Sequence, residues 1–241
     1  MGTLINTAAI AAGGLIGLLI GSRLSKRFQT VLVMALAMSV IAMSLSGIVS
    51  AMLTVTENGV QTHGTYVLIF CLVLGGLLGE IINIDAGIER LGAFLKKRSG
   101  NSGDSTFMRG FINASLTVCI GAMAVVGAIE DGIHGDSSIL LTKSILDFVI
   151  VLVMTASLGK GCIFSAIPVA IFQGTITLLA KLVAPLMNDA AVNNLSLIGS
   201  VLILSVGVNL IAEGKFRLKV ANLLPSILFA VAAAYIPFLQ G

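Results

Sequence analysis

The chain has 241 residues, of which 57% are hydrophobic and only 10% are charged, against about 25% charged in an ordinary soluble domain. A soluble protein needs charge to solvate its surface, so most of this surface must face something other than water, and a soluble enzyme is excluded. A net charge of +3 and the absence of Trp also argue against nucleic acid, which calls for a strongly basic surface or base-stacking platforms.

A helix needs about 20 apolar residues to cross roughly 30 Å of hydrocarbon. Runs of that kind occur at 3–22, 31–54, 65–84, 107–129, 138–158, 162–184, 195–213 and 219–239. They are continuous rather than alternating, which excludes the strands of a membrane β-barrel. In lipid the backbone must satisfy its own hydrogen bonds, and helices remain. The expected fold is an all-α, polytopic transmembrane bundle of about eight spans, forming one domain over 1–241. Pro168 would kink 162–184 or make it re-entrant, so a seven-span version stays open.

The first run has no basic segment before it, so it reads as a span rather than a cleaved leader. It carries Asn6, then Gly13, Gly17 and Gly21 at four-residue spacing, a smooth ridge that permits close helix packing. The partner of that ridge is either internal or a second copy in a homo-oligomer. After the third span, Ile84, Ile88, Leu91 and Leu95 alternate with Glu89, Arg90, Lys96 and Lys97. That spacing fits a short helix lying on the membrane surface, and 98–105 is polar, linker-like sequence. The segment 85–106 thus divides a three-helix front part, 1–84, from a five-helix back part, 107–241.

Basic residues mark orientation. Arg23, Lys26 and Arg27 follow the first span; Arg90, Lys96, Lys97, Arg98 and Arg109 follow the third; Lys160 follows the fifth; Lys215, Arg217 and Lys219 follow the seventh. These alternate connections hold 12 of the 14 Lys and Arg residues. The intervening ones hold Glu57, His63, Glu130, Asp131, His134, Asp136 and Asp189. By the positive-inside rule the basic loops are cytoplasmic and both termini lie outside.

An echo joins the first and fourth spans. Asn6 stands eight residues before Gly14, as Asn113 stands eight before Gly121. The two spans run in opposite directions in this topology, as an inverted-topology repeat would have them. The echo would bring Asn6 and Asn113 to one central site.

Intramembrane charge is the best pointer to function, because placing it there costs about 2.5–3.5 kcal/mol on insertion scales. Asp147 falls mid-span, four residues after Lys143, so the two share a helix face. They read either as an ion-handling carboxylate with a tuning lysine or as a structural pair. Glu80 falls one turn inside the third span, behind Gly75 and Gly79, and reads as a second coupling carboxylate or as a partner for a loop lysine. Asn6, Asn113, Gln173 and Asn209 are amides that could ligate a polar solute or hold helices together. Glu130, Asp131 and Asp136, with His134, form an acidic outer-loop segment able to draw cations to a pore mouth, or an ordinary solvated loop.

Cys71, Cys119 and Cys162 lie in apolar runs without ligand spacing, so neither a disulfide framework nor a metal site is expected. The Met residues read as flexible packing. There is no phosphate-binding glycine loop, zinc-protease motif or serine-hydrolase elbow. No cofactor and no enzymatic step are expected.

Several stretches carry a specific likeness. They are Gly2-Thr3-Leu4-Ile5-Asn6, Cys119-Ile120-Gly121-Ala122-Met123-Ala124, Gly127-Ala128-Ile129-Glu130-Asp131-Gly132 with Gly135-Asp136, Lys143-Ser144-Ile145-Leu146-Asp147, Gly79-Glu80, and Val220-Ala221-Asn222-Leu223-Leu224-Pro225. Together they resemble the YqgA/YdfK-type family of bacterial inner-membrane proteins over essentially the whole chain. Glu130 departs from the pattern, which has an uncharged amide there. The resemblance implies a multi-pass protein of the bacterial inner membrane and leaves the cargo open. The leading expectation is a secondary transporter of a small solute or ion, with Glu80 and Asp147 as coupling carboxylates. An ion channel and a non-transporting membrane partner are the rivals.

Overall fold

The structure is a computed structural model that describes residues 1–56, 59–100, 106–212 and 216–239. Glu57, Lys215 and the linker residues 101–105 lie outside the described residues. Helices dominate: α1 (Gly2–Gly21), α2 (Lys26–Met52), α3 (Thr65–Ile82), α4 (Ile84–Arg98), α5 (Phe107–Cys119), α6 (Ala122–Ile133) and α7 (Ser138–Leu158). A 3₁₀ segment, Lys160–Ser165, leads into α8 (Ala166–Leu178), followed by α9 (Ala180–Val183), α10 (Asp189–Ala212) and α11 (Ser226–Ala233). A short antiparallel hairpin, β1 (Leu53–Thr56) with β2 (Gly59–Thr62), joins α2 to α3 in the register Leu53↔Thr62. No strand is expected there from the run 31–54, which stops as a helix at Met52.

Among the described residues, six helices are long and apolar enough to cross a membrane, and seven if α5 and α6 count as one span. The shortfall from eight does not fall at Pro168. That proline sits in the first turn of α8, where its missing N–H and fixed φ are tolerated, and Lys160–Leu178 qualifies as a span. The run 107–129 is instead broken, with α5 and α6 bent by 60°. The last run is a shorter apolar stretch, Val220–Ala233.

Small residues set the packing. A Cβ on Gly13, Gly17 or Gly21 would lie 2.5, 2.3 and 2.5 Å from the carbonyl oxygens of Phe148, Leu152 and Ala156. Only hydrogen fits between those backbones, so α1 lies directly on α7. The glycine ridge is therefore filled inside the chain and is not left for a second copy. Gly75 and Gly79 likewise receive Ser226 and Asn222, placing the segment 220–233 across α3. Gly47 meets Ser200 and Gly207 meets Ile41, which lays α2 antiparallel on α10. Each front helix thus packs on a back helix, and the two parts of the chain interleave.

The contacts also sort the connections into two ends. At one end Met1 meets Asp131, Asn193 bonds Ala51, Tyr66 stacks on Phe238, and Tyr235 bonds Pro185. At the other, Gln29 bonds Gly21, Arg109 bonds Leu210, and Arg217 reaches Asp85 and Glu89. The second end collects the basic loops, as alternating spans require. There α4 forms as its periodicity dictates. Asn83, with a left-handed φ of 57°, ends α3 and accepts the N–H of Ala86 to cap α4, whose last turn holds Lys96, Lys97 and Arg98, favourable at a helix C-terminus.

Candidate functional site

Seating α1 on α7 brings Asn6 level with the third turn of α7. Lys143 and Asp147, one turn apart, join there: Lys143 Nζ donates to Asp147 Oδ2 at 2.6 Å, with both side chains buried. Asn6 Nδ2 donates to the same oxygen at 3.0 Å and to Gln173 Oε1 at 3.2 Å. Asn6 and Gln173 are wholly buried, from α1 and α8. Two of the polar residues singled out in the sequence, Lys143 and Asn6, thus converge on Asp147, and Gln173 joins them through Asn6.

A group that sequence reasoning misses completes the set. Lys143 Nζ also donates to the carbonyl of Val118 at 2.8 Å. In an unbroken helix that carbonyl would accept the N–H of Ala122. The chain breaks at Ile120 and Gly121, so the end of α5 has open carbonyls, and the lysine takes one. Gly121 makes the break: its φ of 137° with ψ of 152° is a region essentially reserved for glycine. The signal in the sequence was that glycine, read instead as part of a continuous span.

Two cavities approach this region from opposite ends. One, of about 460 Å³, is lined by Lys143, Asp147, Gly121, Thr117, Ser44 and Ser200, from α2, α5, α6, α7 and α10. The other, of about 780 Å³, lies at the basic end and includes Lys96, Lys97, Arg109, Arg217, Asn113 and Asn209. Helix α5 lines both. Asn113 faces the basic cavity and Thr117 the inner one, one helical turn apart, about 6 Å along the axis.

This corrects the expected shared site of Asn6 and Asn113. Asn6 stands behind Asp147, whereas Asn113 lines the basic cavity. Nor does the echo extend to local form, since α1 runs unbroken through Gly14 while the chain breaks at Gly121. Asn209 is occupied: its Nδ2 donates to the carbonyl of Leu218 at 2.9 Å and its Oδ1 accepts the N–H of Leu218 at 2.8 Å. It fastens the loop before residue 220.

Glu80 is not a buried carboxylate. Its side chain is 58% exposed and accepts from Lys219 at 2.8 Å and from Asn222 at 2.6 Å. The close approach at Gly79 brings Asn222 to it, so the glycines bury their own helix face and leave Glu80 at the rim. That hydrogen bond and charge hold the Lys219 ammonium above the ordinary lysine range. Asn222, a residue not singled out for a role, also accepts the N–H of Asp85 at 2.7 Å. It ties α3 and α4 to the chain before α11.

The outer acidic segment does not form one cluster. Glu130 pairs with His134 at 2.7 Å, on the surface. Asp131 turns inward, accepting the Met1 ammonium and the N–H of Gly2 at 3.0 Å and Ser137 Oγ at 2.7 Å. Asp136 accepts the N–H of Ser138 at 2.9 Å and its hydroxyl at 2.5 Å, bonds that hold its carboxyl below the usual range. Glu130 to Gly132 belong to α6, so the loop is shorter than its composition implies.

Behind Asp147, the buried atoms Asn6 Oδ1 and Gln173 Nε2 have no hydrogen-bond partner among the described residues. A buried polar atom without a partner costs about 1–3 kcal/mol.

Comparison with known proteins matches residues 1–235 to the family described as Protein of unknown function (DUF554). The uncharacterized membrane protein YdfK of Bacillus subtilis (strain 168) is 30% identical over 235 residues, covering 98% of this chain and 96% of that one. The uncharacterized protein YqgA of Escherichia coli (strain K12) is 28% identical over 236 residues, covering 96% and 94%. No solved structure matches the chain.

Proposed function

We propose that this chain, which belongs to the family of proteins of unknown function DUF554, is a secondary transporter of a small solute or ion in the bacterial inner membrane. The observation that carries this reading is the Lys143–Asp147 pair. It is a lysine–carboxylate pair buried among apolar helices, yet it lines a cavity, beside a helix break that the same lysine bridges. Intramembrane charge in that setting marks solute and ion pathways, and broken helices at a buried polar site are how transporters supply free backbone groups.

In this reading the path runs through the two cavities. Solute in the inner cavity meets Lys143 and Asp147; the turn of α5 between Thr117 and Asn113 separates it from the basic cavity. Asn6, itself bonded to Gln173, holds Asp147 in place from behind. Alternating access would come from bending at Gly121, because α1 on α7 and α2 on α10 are packed too closely to slide. Asp147 is the coupling carboxylate in this reading, and Glu80 is a rim residue outside it. No catalytic step is assigned. The basic end faces the cytoplasm and both termini face outward, in keeping with the charge pattern.

The test is reconstitution into proteoliposomes on a solid-supported membrane, with a panel of ions and metabolites. A saturable transient current or solute counterflow that Asp147→Asn abolishes is the expected result. Sustained single-channel currents would replace the transporter with a channel. No flux with any compound would leave a membrane partner protein.

A further inference from the structure

The geometry points to a small zwitterion, carrying one ammonium and one carboxylate a few bonds apart, as the occupant of the cavity beside Lys143 and Asp147. It deepens the transport reading and rests on it for the direction of travel, while the binding step stands apart and is tested apart.

Charge balance carries the argument. Of the residues that line this cavity, Lys143 and Asp147 alone are charged; they are opposite in sign and 2.6 Å apart. A solely cationic solute that took Asp147 would lie against the lysine and add net charge to the membrane interior. A solely anionic one would meet the carboxylate in the same way. A dipolar solute exchanges partners instead: its carboxylate receives Lys143 Nζ, its ammonium donates to Asp147, and the site stays neutral. Two charges drawn out of water are favourable only when each finds a close partner.

The remaining walls fit the ammonium. Ser44, Ser196 and Thr117 line the cavity with hydroxyls whose protons are already donated, to the carbonyls of Ile41, Val192 and Asn113. Their oxygens retain lone pairs, so these walls accept hydrogen bonds, and an ammonium has three to give. The Val118 carbonyl keeps Lys143 anchored once it turns from Asp147. Ile120, Ile150 and Ile203 complete the wall as a seat for a small apolar side chain. A cavity of about 460 Å³ lies within the range of small-molecule sites, roughly 300–1,000 Å³.

The experiment uses the full chain in nanodiscs, with thermal unfolding read against glycine, alanine and serine. Alaninamide, which keeps only the positive charge, and propionate, which keeps only the negative one, serve as controls at equal ionic strength. The expected result is a rise in Tm with at least one zwitterion and none with either control. The double variant Lys143→Met/Asp147→Asn removes both charges together, so it folds without an orphaned ion, and it should lose the response. Ser44→Ala, on the facing wall, should weaken apparent affinity about fivefold, one hydrogen bond's worth. Equal shifts with alaninamide or propionate, a response kept in the double variant, or no shift with any zwitterion would each overturn the inference. Counterflow of the binding compound is measured in parallel. Binding without counterflow overturns the transport reading alone.

Discussion

The ammonium of Lys143 lies 2.8 Å from the carbonyl of Val118, the group that the break between α5 and α6 leaves open. One side chain thereby closes a helix end and neutralises Asp147. Its removal strips two groups at once. Lys143→Met should destabilise the protein by about 3–5 kcal/mol, the usual result of orphaning one member of a buried pair. Lys143→Met/Asp147→Asn should recover most of that loss. Thermal unfolding in one detergent measures both, and a double variant no better than the single would refute the pairing.

Gly121 should tolerate no side chain, despite open space around it. A Cβ there would meet nothing within 4 Å, so any cost of Gly121→Ala comes from its φ of 137°. A strained backbone of that kind costs about 1–3 kcal/mol. Flux should fall further than stability, because relief of the strain would straighten the break. An unchanged flux would dissociate Gly121 from the path.

The glycine contacts of α1 and α3 separate from that effect. Gly17→Ala and Gly79→Ala would drive a Cβ to 2.3 Å from the Leu152 carbonyl oxygen and 1.8 Å from that of Asn222. Overpacking of this kind costs about 1–3 kcal/mol. Gly174→Ala, with nothing within 4 Å and a helical backbone, should be neutral or gain up to about 1 kcal/mol. Parallel melting curves decide the order, and a harmful Gly174→Ala would contradict it.

Asn222→Leu should loosen α4. It deprives the Asp85 N–H of its acceptor and Glu80 of a donor, at about 1–3 kcal/mol for the buried N–H. Hydrogen exchange over Ile84–Arg98 should rise while α1 and α7 keep their protection. Uniform loss of protection would show instead that Asn222 supports the whole bundle.

The first turn of α7 should depend on pH through Asp136. Its carboxyl is held below the ordinary value by Ser138, so ionisation favours the folded form. That contribution is complete above the unfolded pKa of about 3.9 and disappears as pH falls through the lower folded value. Exchange at Ser138–Leu141 should therefore quicken only in strongly acid solution, and Asp136→Asn should lack that acid step. An identical acid profile in Asp136→Asn would assign the step elsewhere.

Composition and periodicity were enough for the helical membrane class, for α1, α3 and α7 to within two residues, for the presence of α2 and α10, which begin five and six residues before the expected runs, and for the amphipathic α4. Each follows from local rules: hydrophobic length, helical spacing and charge at the ends. The same rules single out Lys143 and Asp147, because four residues on one helix place them on one face. They could not tell that the Asn6 face of α1 would seat on α7, since Gly13, Gly17 and Gly21 would fit any smooth partner. They also could not separate Asn6 from Asn113, or leave Glu80 at the rim. Those outcomes depend on which backbones approach closely enough to exclude a Cβ.

The Lys143–Asp147 pair therefore belongs to the sequence as a pair, while its setting belongs to the tertiary structure. The helix break, the freed Val118 carbonyl, the backing by Asn6 and Gln173 and the hydroxyl-lined cavity come from six helices other than α7. No local pattern encodes their meeting. It is decided by close packing at glycines, where the absence of one methyl group lets two helices touch and carries a distant amide to a buried charge.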